Sequence, residues 1–167
     1  MSAQPMSPHG LNVMVRTRAR LWSAAWPDRR ADCSNVIETA VKCLDATLRG
    51  LVEVELTDDR RIGQLNRDFR GKAKPTNVLA FENPLQPLGA IVLAFETIAA
   101  EAASQGKNFR AHTTHLLVHG LLHLAGYDHI LREQRRIMEK LEIQILRKMG
   151  IANPYITQAL PRVQGTL

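Results

Sequence analysis

Aromatic side chains make up only 5% of this 167-residue chain. A protein that stacks single-stranded bases on aromatic platforms needs more of them. Any nucleic-acid contact would therefore lean on phosphates. Cysteine is equally scarce, with Cys33 and Cys43 the only two. Both fall in one predicted helix, where a ten-residue separation spans about 15 Å. A disulfide requires Cα atoms within about 7 Å. The pair reads as reduced core residues of a cytoplasmic protein, and it lacks zinc-ligand spacing. No apolar run approaches the roughly 18 to 20 residues of a membrane span. Near the start there is no signal-peptide-like apolar stretch, and no repeat or low-complexity segment interrupts the chain. Residues 1–30 are rich in Arg and poor in acid. The alternation of Val13, Val15 and Leu21 with Arg16, Arg18 and Arg20 favours a strand with one solvated face over a transit peptide.

What is present suits one soluble globular domain: 45% hydrophobic and 23% charged residues. The formal net charge of +6 fits a polyanionic partner such as RNA, DNA or an anionic membrane, and fits a merely basic protein equally well. Residues 1–10 read as a flexible arm, 11–150 as the domain and 151–167 as a partly disordered tail. A strand is expected over 11–21. A helix capped by Asp32 or Ser34 runs to about Leu48, with Ile37, Val41, Leu44 and Leu48 on one face and Gly50 ending it. Next comes a strand over 51–56 with Val52, Val54 and Leu56 inward. A helix from Thr57 or Asp58 then carries Ile62, Leu65 and Phe69. Short strands at 77–81 and 89–93 precede helices at 95–105, 109–125 and 130–149. The last helix places Ile137, Leu141 and Ile145 on one face. This order predicts an α/β or α+β single domain, with a small mixed β-sheet packed by about five helices.

Five of the six histidines lie between His112 and His129. At 100° per residue, His112, His115, His119 and His123 span about 80° of one helix face. Leu116, Leu117, Val118, Leu121, Leu122 and Leu124 wrap the rest. The helix should be buried, with a single polar stripe. Imidazoles are costly to bury without partners, and this many on one stripe points to a metal. "HGLLHLAGYDH", residues 119–129, carries His119, His123 and His129 in the ligand spacing of the extended zinc-protease motif. His119 and His123 are one turn apart and face the same way. Gly126 can take a positive φ, end the helix and return His129 to the same point. Three neutral nitrogens leave an open position for water. Zn²⁺ suits them best, and Ni²⁺, Co²⁺ or Cu²⁺ would also bind.

Where the proteases place their catalytic Glu, this chain has Gly120, so peptide hydrolysis by that route is not expected. Gly120 implies either close approach by substrate or another chain segment, or a tight helix contact. His112 and His115 read either as groups that orient a ligand or relay a proton, or equally as surface or core histidines at the start of the helix; His115, one turn before His119, is the better functional candidate. Asp128 either orients a ligand histidine or, as the spacing slightly favours, caps the last helix. A second motif is "LNRDFRGKAKPTNVLAFE", residues 65–82. Arg70, Lys72 and Lys74 cluster there around Gly71 and Pro75, either as a solvated basic loop or as a phosphate-contact loop.

Taken together, "HGLLHLAGYDH" and "LN...FRGKAKPTNVLAF", with "LGAIVL" at 88–93 and "MEKLEIQIL" at 138–146, resemble the YbeY family of bacterial metal-dependent endoribonucleases. The resemblance covers roughly residues 11–150. It implies the family's α/β metalloprotein fold, with one zinc on His119, His123 and His129 at the end of the central His-bearing helix. It implies Arg70 as the catalytic arginine and single-strand-directed RNA cleavage as the activity. The implied role is 16S rRNA 3′-end maturation and ribosome quality control, with the small ribosomal subunit and the GTPase Era as partners and no membrane. The family loop usually reads R-G-K-D-K-P-T-[DN]-V-L-S-F-P. Here Ala73, Ala80 and Glu82 stand in place of Asp, Ser and Pro, and Gly89-Ala90 in place of Gly-Asp. A non-catalytic zinc-containing ribosome assembly factor is the rival reading.

Overall fold

In the computed structural model, residues 10–44, 48–83 and 86–156 are described. The expected arm, apart from Gly10, and the tail beyond Ile156 lie outside them. The strands are β1 (Leu11–Thr17), β2 (Gly50–Thr57), β3 (Val78–Asn83) and β4 (Gln86–Ala94). The helices are α1 (Arg20–Ala25), α2 (Arg29–Lys42), α3 (Asp59–Arg70), α4 (Phe95–Ser104), α5 (Phe109–Leu124) and α6 (Arg132–Lys148). The sheet order is β1-β2-β4-β3. β1, β2 and β4 are parallel, and β3 is antiparallel to β4. The expected α+β domain with a mixed sheet is therefore present, with six helices among the described residues rather than about five.

β4 is apolar on both faces because both are covered, as expected for an inner strand. Ile91 and Leu93 join the main core with Val52, Val54 and Leu56 of β2, whereas Val92 and Ala94 join Ile62 of α3 in a smaller cluster. β2 keeps the alternation expected of it. Its other face presents Glu53 to Arg16 at 3.5 Å and Glu55 to Arg18 at 3.1 Å. Part of the basic N-terminal charge is thus spent within the fold.

Several boundaries differ from the expectation. β1 ends at Thr17, and the Arg20–Leu21 part of the alternation belongs to α1. That short helix is anchored by tertiary contact. Trp22 is fully buried, and its Nε1 donates to the Thr57 carbonyl at 2.8 Å. α2 starts at Arg29, ahead of both predicted caps. Asp32 instead accepts from Nε1 of Trp26 at 2.5 Å. The helix ends at Lys42, with Cys43 at its C-cap, and Gly50 opens β2 at a φ of 116°. Asp58 does cap α3, accepting from the Arg61 amide at 2.9 Å. In α3, Ile62 is buried but Phe69 is exposed, resting on Phe81 at 5.0 Å between ring centroids. The face of α6 is displaced from its sequence pattern. Met138, Glu142, Ile145 and Leu146 are buried, while Ile137 is 54% exposed.

Candidate metal centre

α5 lies at the centre of the fold, packed against β3, β4, α2, α4 and α6. Asn108 caps its start by accepting from the Ala111 amide at 3.1 Å. Ten of its residues are buried, from His112 to Leu124, as its apolar wrap demands. The helix ends at Leu124. Gly126 then takes a φ of 96°, its amide donating to the His123 carbonyl at 3.1 Å, and the Tyr127 amide donates to Leu122 at 3.0 Å. This left-handed turn brings His129 back, as expected. The ligand atoms of His119, His123 and His129 all lie within 4.8 Å of one another. Nε2 of His119 and Nε2 of His123 are 3.1 Å apart.

His119 is fixed from behind. Its Nδ1 donates to Oε1 of Glu142 at 2.7 Å, so its Nε2 carries the lone pair toward the other two rings. Oε2 of Glu142 accepts from Nε2 of His115 at 2.7 Å and from the hydroxyl of Tyr155. Glu142 is fully buried. Burial alone pushes its carboxyl up, yet the hydrogen bonds from His115, His119 and Tyr155 outweigh this and bring it down to about 2. His123 is held below the usual histidine value, first by burial and then by the neighbouring charges of His119 and His129. Its ring is therefore neutral and its lone pair available at physiological pH.

These residues fit a divalent ion. The donor set is three imidazoles, which suits a borderline-soft cation. Behind it stands a buried carboxylate that pairs with no Lys or Arg among the described residues, and a cation on His119 would balance that charge. Carboxylate, histidine and metal in series is the arrangement that fixes a ligand's tautomer and raises its basicity. The His129 side chain is 49% exposed, so the centre opens to solvent on that side.

Gly120 does not face this centre. It is buried against the sheet, where an added Cβ would lie 2.8 Å from Cγ2 of Ile91 and 3.5 Å from Cγ2 of Val78. Of the origins expected for it, close approach of another chain segment is the one observed, and that segment is the β3–β4 pair. Asp128 does not cap α6, whose N-cap is Leu131. It accepts from the His129 amide at 2.7 Å, with Oδ1 3.9 Å from Nδ1 of His129. His112 is tied elsewhere, its Nε2 paired with Glu101 at 2.8 Å. Glu101 also accepts from Asn77 at 3.1 Å, joining α5 to α4 and the start of β3. The Nδ1 atoms of His112 and His115 are buried with no hydrogen-bond partner among the described residues.

Arg70 is exposed in the last turn of α3, followed by Gly71 in the left-handed region at a φ of 69°. Lys72 and Lys74 are exposed in the following loop. Buried Asn66 holds that loop by donating from Nδ2 to the Lys74 carbonyl at 2.9 Å. None of the three cations forms an ion pair among the described residues, and none hydrogen-bonds the histidine cluster. Sequence reasoning missed Glu142 and Tyr155. The carboxylate has a signal in retrospect, since it stands on the apolar face of α6 between Met138 and Ile145. Tyr155 has none in its local pattern.

The fold and the three converging imidazoles define a small α+β protein whose central helix and following turn carry a histidine triad that could hold a metal ion. Residues 23–150 match the family model described as endoribonuclease YbeY, and the chain belongs to that family. The endoribonuclease YbeY of Paramagnetospirillum magneticum is 45% identical over 158 residues, covering 87% of this chain and 96% of the relative. That of Sphingopyxis alaskensis is 43% identical over 169 residues, covering 87% and 99%. The solution structure of TM1509 from Thermotoga maritima aligns with a TM-score of 0.53 at 21% identity, over 91% of this chain and 99% of that one. That likeness shows the fold. No helix among the described residues is long and apolar enough to cross a membrane.

Proposed function

We propose that this protein is a zinc-dependent endoribonuclease that cleaves single-stranded regions of rRNA. Its proposed place is 16S rRNA 3′-end maturation and ribosome quality control in the cytoplasm, with the small ribosomal subunit and the GTPase Era as partners. The observation that carries the reading is the convergence of His119, His123 and His129, in a chain whose relatives bear the name endoribonuclease YbeY. An ion held there supplies Lewis acidity to a phosphoryl oxygen and to water. Glu142 keeps Nδ1 of His119 protonated and Nε2 free. The guanidinium of Arg70 is assigned to the substrate phosphate, where a planar fork grips two oxygens and stabilises charge that grows in the transition state. Lys72 and Lys74 are assigned to neighbouring phosphates, which makes binding dependent on salt.

A non-catalytic zinc-containing assembly factor is favoured by one observation. Glu142 is buried and fully engaged, and Gly120 faces the sheet, so the helix offers no free carboxylate as a base. Metal analysis paired with cleavage of structured and unstructured rRNA fragments separates the two readings. Wild type, His123→Ala and Arg70→Ala are compared. Loss of cleavage in both variants supports the enzyme, and equal cleavage by all three sinks it. A 2′,3′-cyclic phosphate end would identify the RNA 2′-OH as nucleophile, whereas a 3′-hydroxyl with a 5′-phosphate would point to water.

A further inference from the structure

Glu142 takes three hydrogen bonds, and two of the donors, His115 and His119, come from α5. The third comes from outside the helical pair, from a segment with no secondary structure. After α6, Gly150 turns the chain at a φ of 73°. The Ile151 amide donates back to the Leu146 carbonyl at 2.9 Å, and the Ile151 side chain packs against the main core. Nζ of Lys107 donates to the Pro154 carbonyl at 3.0 Å. Oδ1 of Asn153 accepts from the Tyr155 amide at 2.9 Å. The Tyr155 ring meets His115 edge-on, with centroids 5.5 Å apart at 83°. Its hydroxyl donates to Oε2 of Glu142 and lies 3.4 Å from Nε2 of His115. Residues 150–156 therefore form a strap, tied at several points, that carries one hydroxyl to a buried carboxylate.

We propose that Tyr155 is a positioning residue for the metal centre: its hydroxyl holds the Glu142 carboxylate, which holds His119, and so sets the affinity of the site for its ion. The inference rests on the reading of His119, His123 and His129 as a metal site. Its physical basis is the geometry of one carboxylate. A buried anion needs donors on both oxygens. Without the Tyr155 hydroxyl, Oε2 keeps His115 alone. The carboxylate is then free to rotate toward that ring, and its hold on Nδ1 of His119 loosens. Tyr155 is 43% exposed and lies beyond α6, so the molecule can lose the hydroxyl without losing its core.

The test uses the metal-free full chain of wild type, Tyr155→Phe, Glu142→Gln, the Tyr155→Phe/Glu142→Gln double variant and His123→Ala. Each is titrated with Zn²⁺ against a chromophoric chelator, and with Co²⁺ while the visible ligand-field bands are recorded. Outer-shell partners of metal-bound histidines are worth about 10- to 100-fold in affinity. Tyr155→Phe keeps the ring against His115 and removes only the oxygen, so the expected result is roughly tenfold weaker binding with altered Co²⁺ bands. In the Glu142→Gln background the same change should cost nothing further, because its route is gone. Wild-type affinity and spectrum in Tyr155→Phe, or a full additional loss in the double variant, would overturn the proposal. If wild type binds no ion, or His123→Ala binds as well as wild type, the metal reading itself falls and takes this inference with it.

Discussion

Oε1 of Glu142 on α6 accepts from Nδ1 of His119 on α5 at 2.7 Å. The two residues are 23 apart in sequence, and only the packing of α6 on α5 brings them together. The contact decides which nitrogen of His119 can take a metal. Glu142→Gln keeps the shape but removes the anion, so Zn²⁺ affinity should fall by about 10- to 100-fold. Chelator competition on the metal-free protein measures it. Unchanged affinity would mean that His119 needs no partner to bind.

The same carboxylate makes stability depend on acid. Its ordinary value of 4.5 is drawn down to about 2 in the folded chain. As pH falls, the unfolded chain takes up this proton first. The stabilisation is therefore complete above about 4.5 and is lost between there and about 2, on the order of 3 kcal/mol in all. Urea unfolding of the metal-free protein at pH 5 and pH 3 should show wild type losing more stability than Glu142→Gln. Equal losses would place the acid sensitivity elsewhere.

Gly120 belongs to the packing of α5 on the sheet. In Gly120→Ala the new methyl would lie 2.8 Å from Cγ2 of Ile91, on a stiff β-branched side chain of an inner strand. Overpacking of this kind costs about 1–3 kcal/mol, against about 1 kcal/mol gained in helix propensity. A net loss of stability is expected, read as a lower denaturation midpoint. Gly120→Glu, which restores the protease sequence, should fail to fold rather than gain peptidase activity. A folded, proteolytic Gly120→Glu variant would contradict the packing account.

Arg70 offers the opposite case. It is exposed and forms no ion pair among the described residues, so Arg70→Ala should change stability by no more than about 0.5 kcal/mol. If it stabilises the phosphoryl transition state, cleavage of single-stranded rRNA should drop by roughly a hundredfold. Thermal unfolding and initial rates on the same preparation check both halves. A full rate in a fully folded variant would return the loop to a solvated basic surface.

Much of the centre was legible in one dimension because its signals are local. One helical turn separates His119 from His123, and a glycine at the right place returns His129; spacing and backbone freedom suffice to state both. The alternation in β2 and the cap at Asp58 are local in the same sense. α1 was not legible, since a six-residue helix stands on the burial of Trp22 and a hydrogen bond to Thr57. The face of α6 was misjudged for a related reason. Periodicity counts Glu142 as polar and turns it outward, whereas two histidines and a tyrosine make its burial tolerable.

By itself the sequence determined which three histidines come together, since that depends on one stretch of eleven residues, 119–129. Only the tertiary structure decided what stands behind them: Glu142 from the next helix, Tyr155 from beyond it, and Ile91 against Gly120. Those contacts join segments distant in the chain. A buried charge finds its partners through packing, which no local pattern records.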